Sequence, residues 1–339
     1  MINDFRIIIP TYNRPHFLDR MIEYYKHYDY EQNIIIADGS KSPWEGRNKT
    51  KAKYYHMSET PFIQRVNKII EEIDVSYICF GSDDDFIFPS SIERIFNFLK
   101  HNDDYSAGHG YYLFSYVSNN KISYGLHYEN KYFDNVDDDV VQRILHTFTK
   151  HFQQNYSLIK KEIWINYLNI FAVAGVSEEL IYPINEQLLH FLSTIAGKIK
   201  VFNHVHSVRD YYSPKTPRKE SLLELATAWS YYYKVLLTIL KQLKITAPNV
   251  HQLLTERLEY WLENQTKHFF KVRDEIKHPD YWAAKGIQKP SIRKALDYED
   301  FQIFVPNNIK PAVFEPKTFS DISYIDSLIR KYFDNYFIR

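Results

Sequence analysis

Between residues 5 and 100 the chain repeats one unit: a short apolar run, a polar cluster, then apolar positions at helical spacing. Phe5–Ile9 is rich in β-branched residues and stops at Pro10. Such a run, without polar alternation, fits a strand covered on both faces. Phe17, Leu18, Met21, Ile22 and Tyr25 then fall at helical spacing, and Pro15 suits a first helical turn. Asn33–Ala37 is a second buried strand ending in Asp38-Gly39-Ser40, and Lys53–Met57 reads as a third. Residues 61–73 read as a helix, Ser76–Phe80 as a further strand, and Pro89 opens a helix through Lys100.

Strands alternating with helices imply βαβ units, a mostly parallel sheet and right-handed crossovers. Ligands bind such sheets at the carboxyl ends of the strands. Three strands here end in polar clusters: Pro10–Arg14, Asp38–Ser40 and Asp83–Asp85. If they are parallel, the three clusters share one rim.

Further along, residues 105–125 read as strands around an Asn119-Asn120 turn. Residues 161–168 and 183–196 read as helices, Gly197 as a helix stop and Lys198–Phe202 as a short strand. The prolines at 214 and 217 mark a linker or loop, after which 219–244, 248–275 and 320–337 read as helices. This divides the chain into residues 1–213 and a helical C-terminal domain, 214–339, with an acceptor-side, oligomerisation or membrane-associating role.

The 339 residues suit one large domain plus a smaller one, and 45% apolar content allows a sizeable core. Lys plus Arg equals Asp plus Glu, so no global field favours nucleic acid. The lone cysteine, Cys79, excludes an intrachain disulfide and fits a reducing, cytoplasmic setting. No signal peptide or spanning helix is expected. Residues 320–339 place Arg330, Lys331 and Arg339 beside aromatics. Peripheral contact with the inner membrane face is one reading of that helix, and docking on the main domain is the plainer one.

Three adjacent carboxylates after a buried strand repel one another, and a divalent cation relieves this. Mg²⁺ and Mn²⁺ prefer carboxylate oxygens and often add substrate phosphates to their shell. The plainer alternative is a solvated acidic loop. Its place at a strand end, on the ligand-binding rim, favours the metal clamp.

At these residues the chain resembles a known family. Ile7-Ile8-Ile9-Pro10-Thr11-Tyr12-Asn13-Arg14 resembles the opening strand of family 2 glycosyltransferases. Ile34-Ile35-Ile36-Ala37-Asp38-Gly39-Ser40 resembles their second strand, with Ala37 replacing the first of two aspartates. The stretch from Tyr77 through Asp83-Asp84-Asp85 to Pro89 resembles their DxD segment. The resemblance covers roughly residues 4–212 and implies an α/β GT-A fold, Rossmann-like, with a mostly parallel central sheet flanked by helices.

The resemblance implies roles residue by residue. Pro10, Thr11, Tyr12 and Arg14 would line the donor pocket, and Asp38 would contact the base. Arg65, Asp84 and Arg209 would serve the donor, chiefly its diphosphate. Asp85 would hold Mn²⁺ or Mg²⁺, with Asp83 as a ribose or second metal contact. The register is open by one, because the pattern Asp-x-Asp-Asp would start at Ser82. Glu186, in Asn185-Glu186-Gln187-Leu188-Leu189, matches the catalytic base of inverting members, with Glu178 and Glu179 as competitors. His204, His206 and Asp210 are candidates for a third metal ligand. Imidazole chemistry favours His206, while spacing from Glu186 favours the Arg209–Asp210 end. Lys215 and Arg218, with Arg209, could close as a lid.

The expected reaction is inverting transfer from a nucleotide-diphosphate sugar, UDP-linked by preference, to a saccharide or lipid-linked saccharide in surface polysaccharide or glycoconjugate synthesis. The alternatives are a non-catalytic nucleotide-sugar-binding module and a metal-dependent nucleotidyl or phosphoryl transferase. A homo-oligomer is a further possibility.

Overall fold

The computed structural model describes residues 4–118, 121–127, 133–149, 154–174, 185–210, 222–245, 248, 250–256, 259, 263, 293–297, 302–306 and 314–333. Strands β1 (Phe5–Thr11), β2 (Ile34–Asp38), β3 (Lys53–His56) and β4 (Tyr77–Phe80) pair in parallel in the order β4-β1-β2-β3. Helices α1 (Pro15–His27), α2 (Phe62–Glu72) and α3 (Pro89–Leu99) form where the apolar spacing places them.

The pleat explains the apolar runs. Ile7 and Ile9 of β1, with Ile34, Ile36 and Cys79, join a core that includes α1 and α3. Ile8, Ile35, Ala37, Ile78 and Phe80 face the opposite core, against α2. Successive side chains point to opposite faces, so two covered faces demand an unbroken apolar run.

A short β5 (Phe86–Ile87) follows the acidic run. The sheet continues through β6 (Tyr105–Ser118), β7 (Lys121–Leu126), β8 (Leu158–Lys160) and β9 (Lys198–Asp210). β8 lies antiparallel to both β4 and β6, so β6 and its parallel neighbour β9 share the direction of β1 and β4. The end of β9 curls over to pair with β5, Phe86 opposite Val208 and Ile87 opposite Ser207. β6 and β7 pair antiparallel, Ser118 with Lys121, flanking the expected turn, whose two residues lie outside the described ones.

Three helices cover the second core: α4 (Val140–Thr149), α5 (Lys161–Ala174) and α6 (Asn185–Ala196). α7 (Leu222–Gln242) adds Tyr232, Leu236 and Leu240 to the same core. Residues 250–256 are helical, while most of the span to 275 lies outside the described residues, as does the 213–218 linker with Lys215 and Arg218.

The C-terminal region departs from the all-helical expectation there. β10 (Arg293–Asp297) and β11 (Gln302–Pro306) form a hairpin, and β11 extends the central sheet beside β7. α8 (Pro316–Phe333) then packs on α1. Its Ile322, Ile325, Leu328 and Ile329 enter the core that holds Ile7 and Phe17. Tyr28 donates to Asp321 at 2.7 Å, and Lys331 and Tyr332 both reach Glu23 at 2.7 Å. The apolar face of α8 is thus buried against the main core. Among the described residues, no helix is long and apolar enough to cross a membrane.

Candidate functional site

Parallel pairing puts the polar strand ends on one rim, as the spacing suggested. Thr11 is in register with Asp38, and the chain leaves β4 at Gly81, whose N–H donates to Ile8 O at 2.9 Å. Thr11 Oγ1 donates to Asp83 Oδ2 at 2.7 Å, joining the first cluster to the third. Gly39 N–H donates to Thr11 O at 3.1 Å, joining the first to the second. Pro10 lies one position earlier, beside Ala37.

Asp38 is buried and pre-oriented. Its carboxylate accepts from Ser40 N–H at 2.8 Å and from Tyr54 OH at 2.5 Å. Arg65 reaches across from α2 and donates to Thr11 O at 3.3 Å. Its guanidinium lies over Gly39, where a Cβ would come within 1.4 Å of Nη1. Any Cβ here would displace the guanidinium. Arg65 thus lies between Gly39 and Thr11, the residue that joins the Asp38 cradle to Asp83. Tyr12 is half exposed and bonds Glu59 at 3.2 Å. Asn13, with φ 54°, takes the left-handed turn out of β1, and its N–H donates to Ser40 Oγ at 2.8 Å.

The acidic run forms the other half. Arg14 forks across it, donating to Asp83 Oδ1 at 2.7 Å and Asp84 Oδ2 at 2.9 Å, with its guanidinium 4.0 Å from the Phe17 ring centre. Ser82 Oγ donates to Asp84. Asp85 turns the other way, into the seam between β5 and β9. It accepts from Tyr156 OH, and from Asp210 N–H at 2.9 Å, while Arg209 Nε lies 3.5 Å away. Register explains this: β5 opposes the end of β9, so Asp85 meets Arg209 and Asp210.

Burial dominates the electrostatics. It pushes the Asp83 carboxyl up, Asp84 adds repulsion, and Arg14 and Thr11 pull against both. Asp85 is pushed up to about 6, first by burial and then by Asp84, against Arg209, Tyr156 and the Asp210 N–H. Arg14, Arg20 and Arg209 stand against Asp83, Asp84, Asp85 and Asp210 in this cluster.

The candidates for a third metal ligand on β9 are engaged within the protein. His206 is fully buried, with Nδ1 bonded to Ser91 Oγ and Nε2 to Tyr156 O, both at 2.7 Å. Burial lowers its pKa to about 3. With both nitrogens engaged, its ring has no lone pair to offer a cation, which corrects the expected role. His204 Nε2 bonds the same Ser91 hydroxyl at 2.7 Å. Asp210 pairs with Arg20 at 2.6 Å, both side chains fully buried. Among the described residues no group of three or more His, Cys, Asp and Glu side chains is arranged to hold a metal ion.

Glu186 lies in the first turn of α6, half-buried, and its charge helps raise the Tyr167 hydroxyl above its usual value, after burial. The far end of α6 is tied down where β6 and β9 begin, by Ser106 Oγ donating to Ser193 O at 2.7 Å. The helix leads into β9. Glu178 and Glu179 lie outside the described residues.

Two participants went unread in the sequence: Arg20 and Tyr156. Arg20 does carry a signal, since it falls within the apolar face of Phe17, Met21 and Tyr24. A charge there needs a partner.

Residues 6–163 match the family model described as Glycosyl transferase family 2, which bears out the resemblance carried by the three motifs. The chain is similar to the crystal structure of S. aureus TarS 1-349 in complex with UDP-GlcNAc, at 13% identity and TM-score 0.53, over 99% of this chain and 91% of that one. It is also similar to the crystal structure of S. aureus TarS, at 13% identity and TM-score 0.49, over 76% of this chain. The match spans 43% of that longer chain. No curated protein matches this chain. The α/β GT-A fold class stands.

Proposed function

We propose, with the glycosyl transferase family 2 match over residues 6–163 as premise, that this chain transfers a sugar from a nucleotide-diphosphate donor, UDP-linked by preference, to a saccharide or lipid-linked saccharide hydroxyl. One observation carries the reading. Two pre-oriented acidic centres, Asp38 and the Asp83–Asp85 run, meet on one rim through Thr11, which bonds Asp83 with its hydroxyl and takes Arg65 on its carbonyl.

In this reading the Asp38 cradle, with Pro10, Thr11 and Tyr12, receives the base and ribose. Asp38 presents a carboxylate that accepts a base N–H. Arg14 and Arg209 flank the acidic run and orient the diphosphate. The run also fits a hard cation. Its buried carboxylates Asp83 and Asp85 hold protons more tightly than ordinary aspartates. Asp85, with Asp83 as a second contact, would hold Mn²⁺ or Mg²⁺, with phosphate oxygens and water completing the shell. Bound there, the ion would offset charge on the departing diphosphate.

Glu186 is the proposed base. A carboxylate in the first turn of a helix is favoured as the anion, the form that accepts a proton. The acceptor oxygen attacks the anomeric carbon from the face opposite the diphosphate, its proton passes to Glu186, and the bonding pair leaves with the nucleoside diphosphate. The configuration inverts. The test is a donor panel that identifies the released nucleotide. Release of nucleoside diphosphate by the native chain, lost in both Asp85→Ala and Glu186→Gln, is expected. Release of a monophosphate, or full activity in either variant, would overturn the mechanism.

A further inference from the structure

We propose that Arg20, on the buried face of α1, is a positioning residue that sets both the backbone and the carboxylate of Asp85 for binding a cation. The inference rests on reading the acidic run as that site.

One guanidinium binds two elements. Its Nη1 pairs with Asp210 Oδ2 of β9 at 2.6 Å, and its Nη2 donates to the carbonyl of Asp84 at 2.9 Å. The first bond holds the end of β9. From there the Asp210 N–H donates to Asp85 Oδ1 at 2.9 Å. The second bond holds the peptide that leads into Asp85. Asp85 is thereby fixed from its backbone and from its side chain by one group on a different element.

The chemistry favours arginine. Its planar fork offers donors in fixed directions, whereas lysine offers a single compact charge. Phe17 and Phe86 lie beside the guanidinium, with ring centres 5.2 and 4.9 Å from Cζ. Arg20 and Asp210 have no exposed side-chain surface, so neither meets substrate directly. Arg20 reaches the acidic run through the Asp84 carbonyl and through Asp210. The Asp38 cradle, tied by Arg65 and Tyr54, contains none of these bonds.

This separation supplies the test. UDP binding is measured by calorimetry with and without Mn²⁺ for the native chain, Arg20→Lys, Asp85→Ala and the double variant. The native chain should gain affinity from Mn²⁺, and Asp85→Ala should lose that gain. Arg20→Lys should lose about tenfold or more of it, as misplacing a ligand by an ångström does, and should bind UDP alone as the native chain does. The double variant should be no worse than Asp85→Ala alone, because Arg20 works through Asp85. The inference is overturned if Arg20→Lys keeps the whole gain, weakens UDP equally with and without Mn²⁺, or adds its loss to that of Asp85→Ala. If the native chain gains nothing from Mn²⁺, or Asp85→Ala keeps the gain, the reading of the run itself has failed and the inference falls with it. Should Arg20→Lys not fold, Asp210→Asn takes its place in the cycle. It keeps the backbone N–H to Asp85 and weakens the pairing with Arg20.

Discussion

Replacing Gly39 with alanine isolates the nucleoside half of the site. Gly39 does not use the left-handed backbone, so alanine is not strained there. Its Cβ, however, would stand 1.4 Å from Arg65 Nη1 and 2.4 Å from Cζ. Carbon and nitrogen atoms sit comfortably about 3.5 Å apart, so the guanidinium must withdraw by about 2 Å. That breaks its bond to Thr11 O, which spans 3.3 Å. A hydrogen bond from a charged group contributes about 1.5–3 kcal/mol. If all of it is lost from donor binding, at about 1.4 kcal/mol per factor of ten, UDP should bind Gly39→Ala more weakly by up to about 10- to 100-fold. Calorimetry with UDP measures this, with the circular dichroism spectrum checked for an unchanged fold. Arg65→Ala should show a similar loss, and the double variant no greater one. If Gly39→Ala binds UDP as tightly as the native chain while Arg65→Ala does not, the steric reasoning is wrong. If both bind normally, Arg65 plays no part in the cradle.

Further outcomes are expected elsewhere. Burial raises Asp85 to about 6 from an ordinary 3.8, so the folded chain holds this proton where the unfolded chain has lost it. Its contribution therefore favours folding at low pH and is lost as pH rises from about 4 through about 6, on the order of 3 kcal/mol. Urea melts of native and Asp85→Asn protein across that window, without divalent cations, should differ in slope; equal slopes would refute the assignment. Ile325→Ala in α8 should cost about 2–5 kcal/mol in the same melts, because Ile325 is fully buried against the main core. Co-sedimentation with anionic vesicles should be unchanged in that variant, and a rise in the native chain's vesicle binding on freeing the helix would point to a second role. Glu186→Gln should lower transfer by about 10²–10⁴-fold with UDP affinity unchanged; a matching loss of UDP affinity would place Glu186 in donor binding instead.

The parallel half of the sheet was legible because β1, β2 and β4 are covered on both faces, and only unbroken apolar runs satisfy that. The rim followed from the same runs, since each ends in a polar cluster. β9 was not legible beyond Phe202. Its histidines look like a loop until Ser91 of α3, more than a hundred residues earlier, supplies the hydroxyl that bonds both rings. The pairing of β5 with β9 rests on two residues and carries no local pattern, yet it brings Arg209 and Asp210 to Asp85. β11 was missed because Gln302–Pro306 lies in a segment whose neighbours read as helical, and its partner β7 is remote in sequence. Spacing predicts which side chains share an element. It does not predict which distant group will satisfy a buried charge, and that is where Arg20 and Tyr156 entered.

The central claim is that a nucleoside diphosphate spans the rim from Asp38 to the acidic run, with a cation on the run. Anomalous scattering from crystals grown with UDP and Mn²⁺ tests it most directly. The account predicts one manganese peak about 2.0–2.3 Å from carboxylate oxygens of Asp85 or its neighbours Asp83 and Asp84, shared with the UDP phosphates, and uracil beside Asp38. Manganese bound away from the run, or UDP bound with its base away from Asp38, would contradict it.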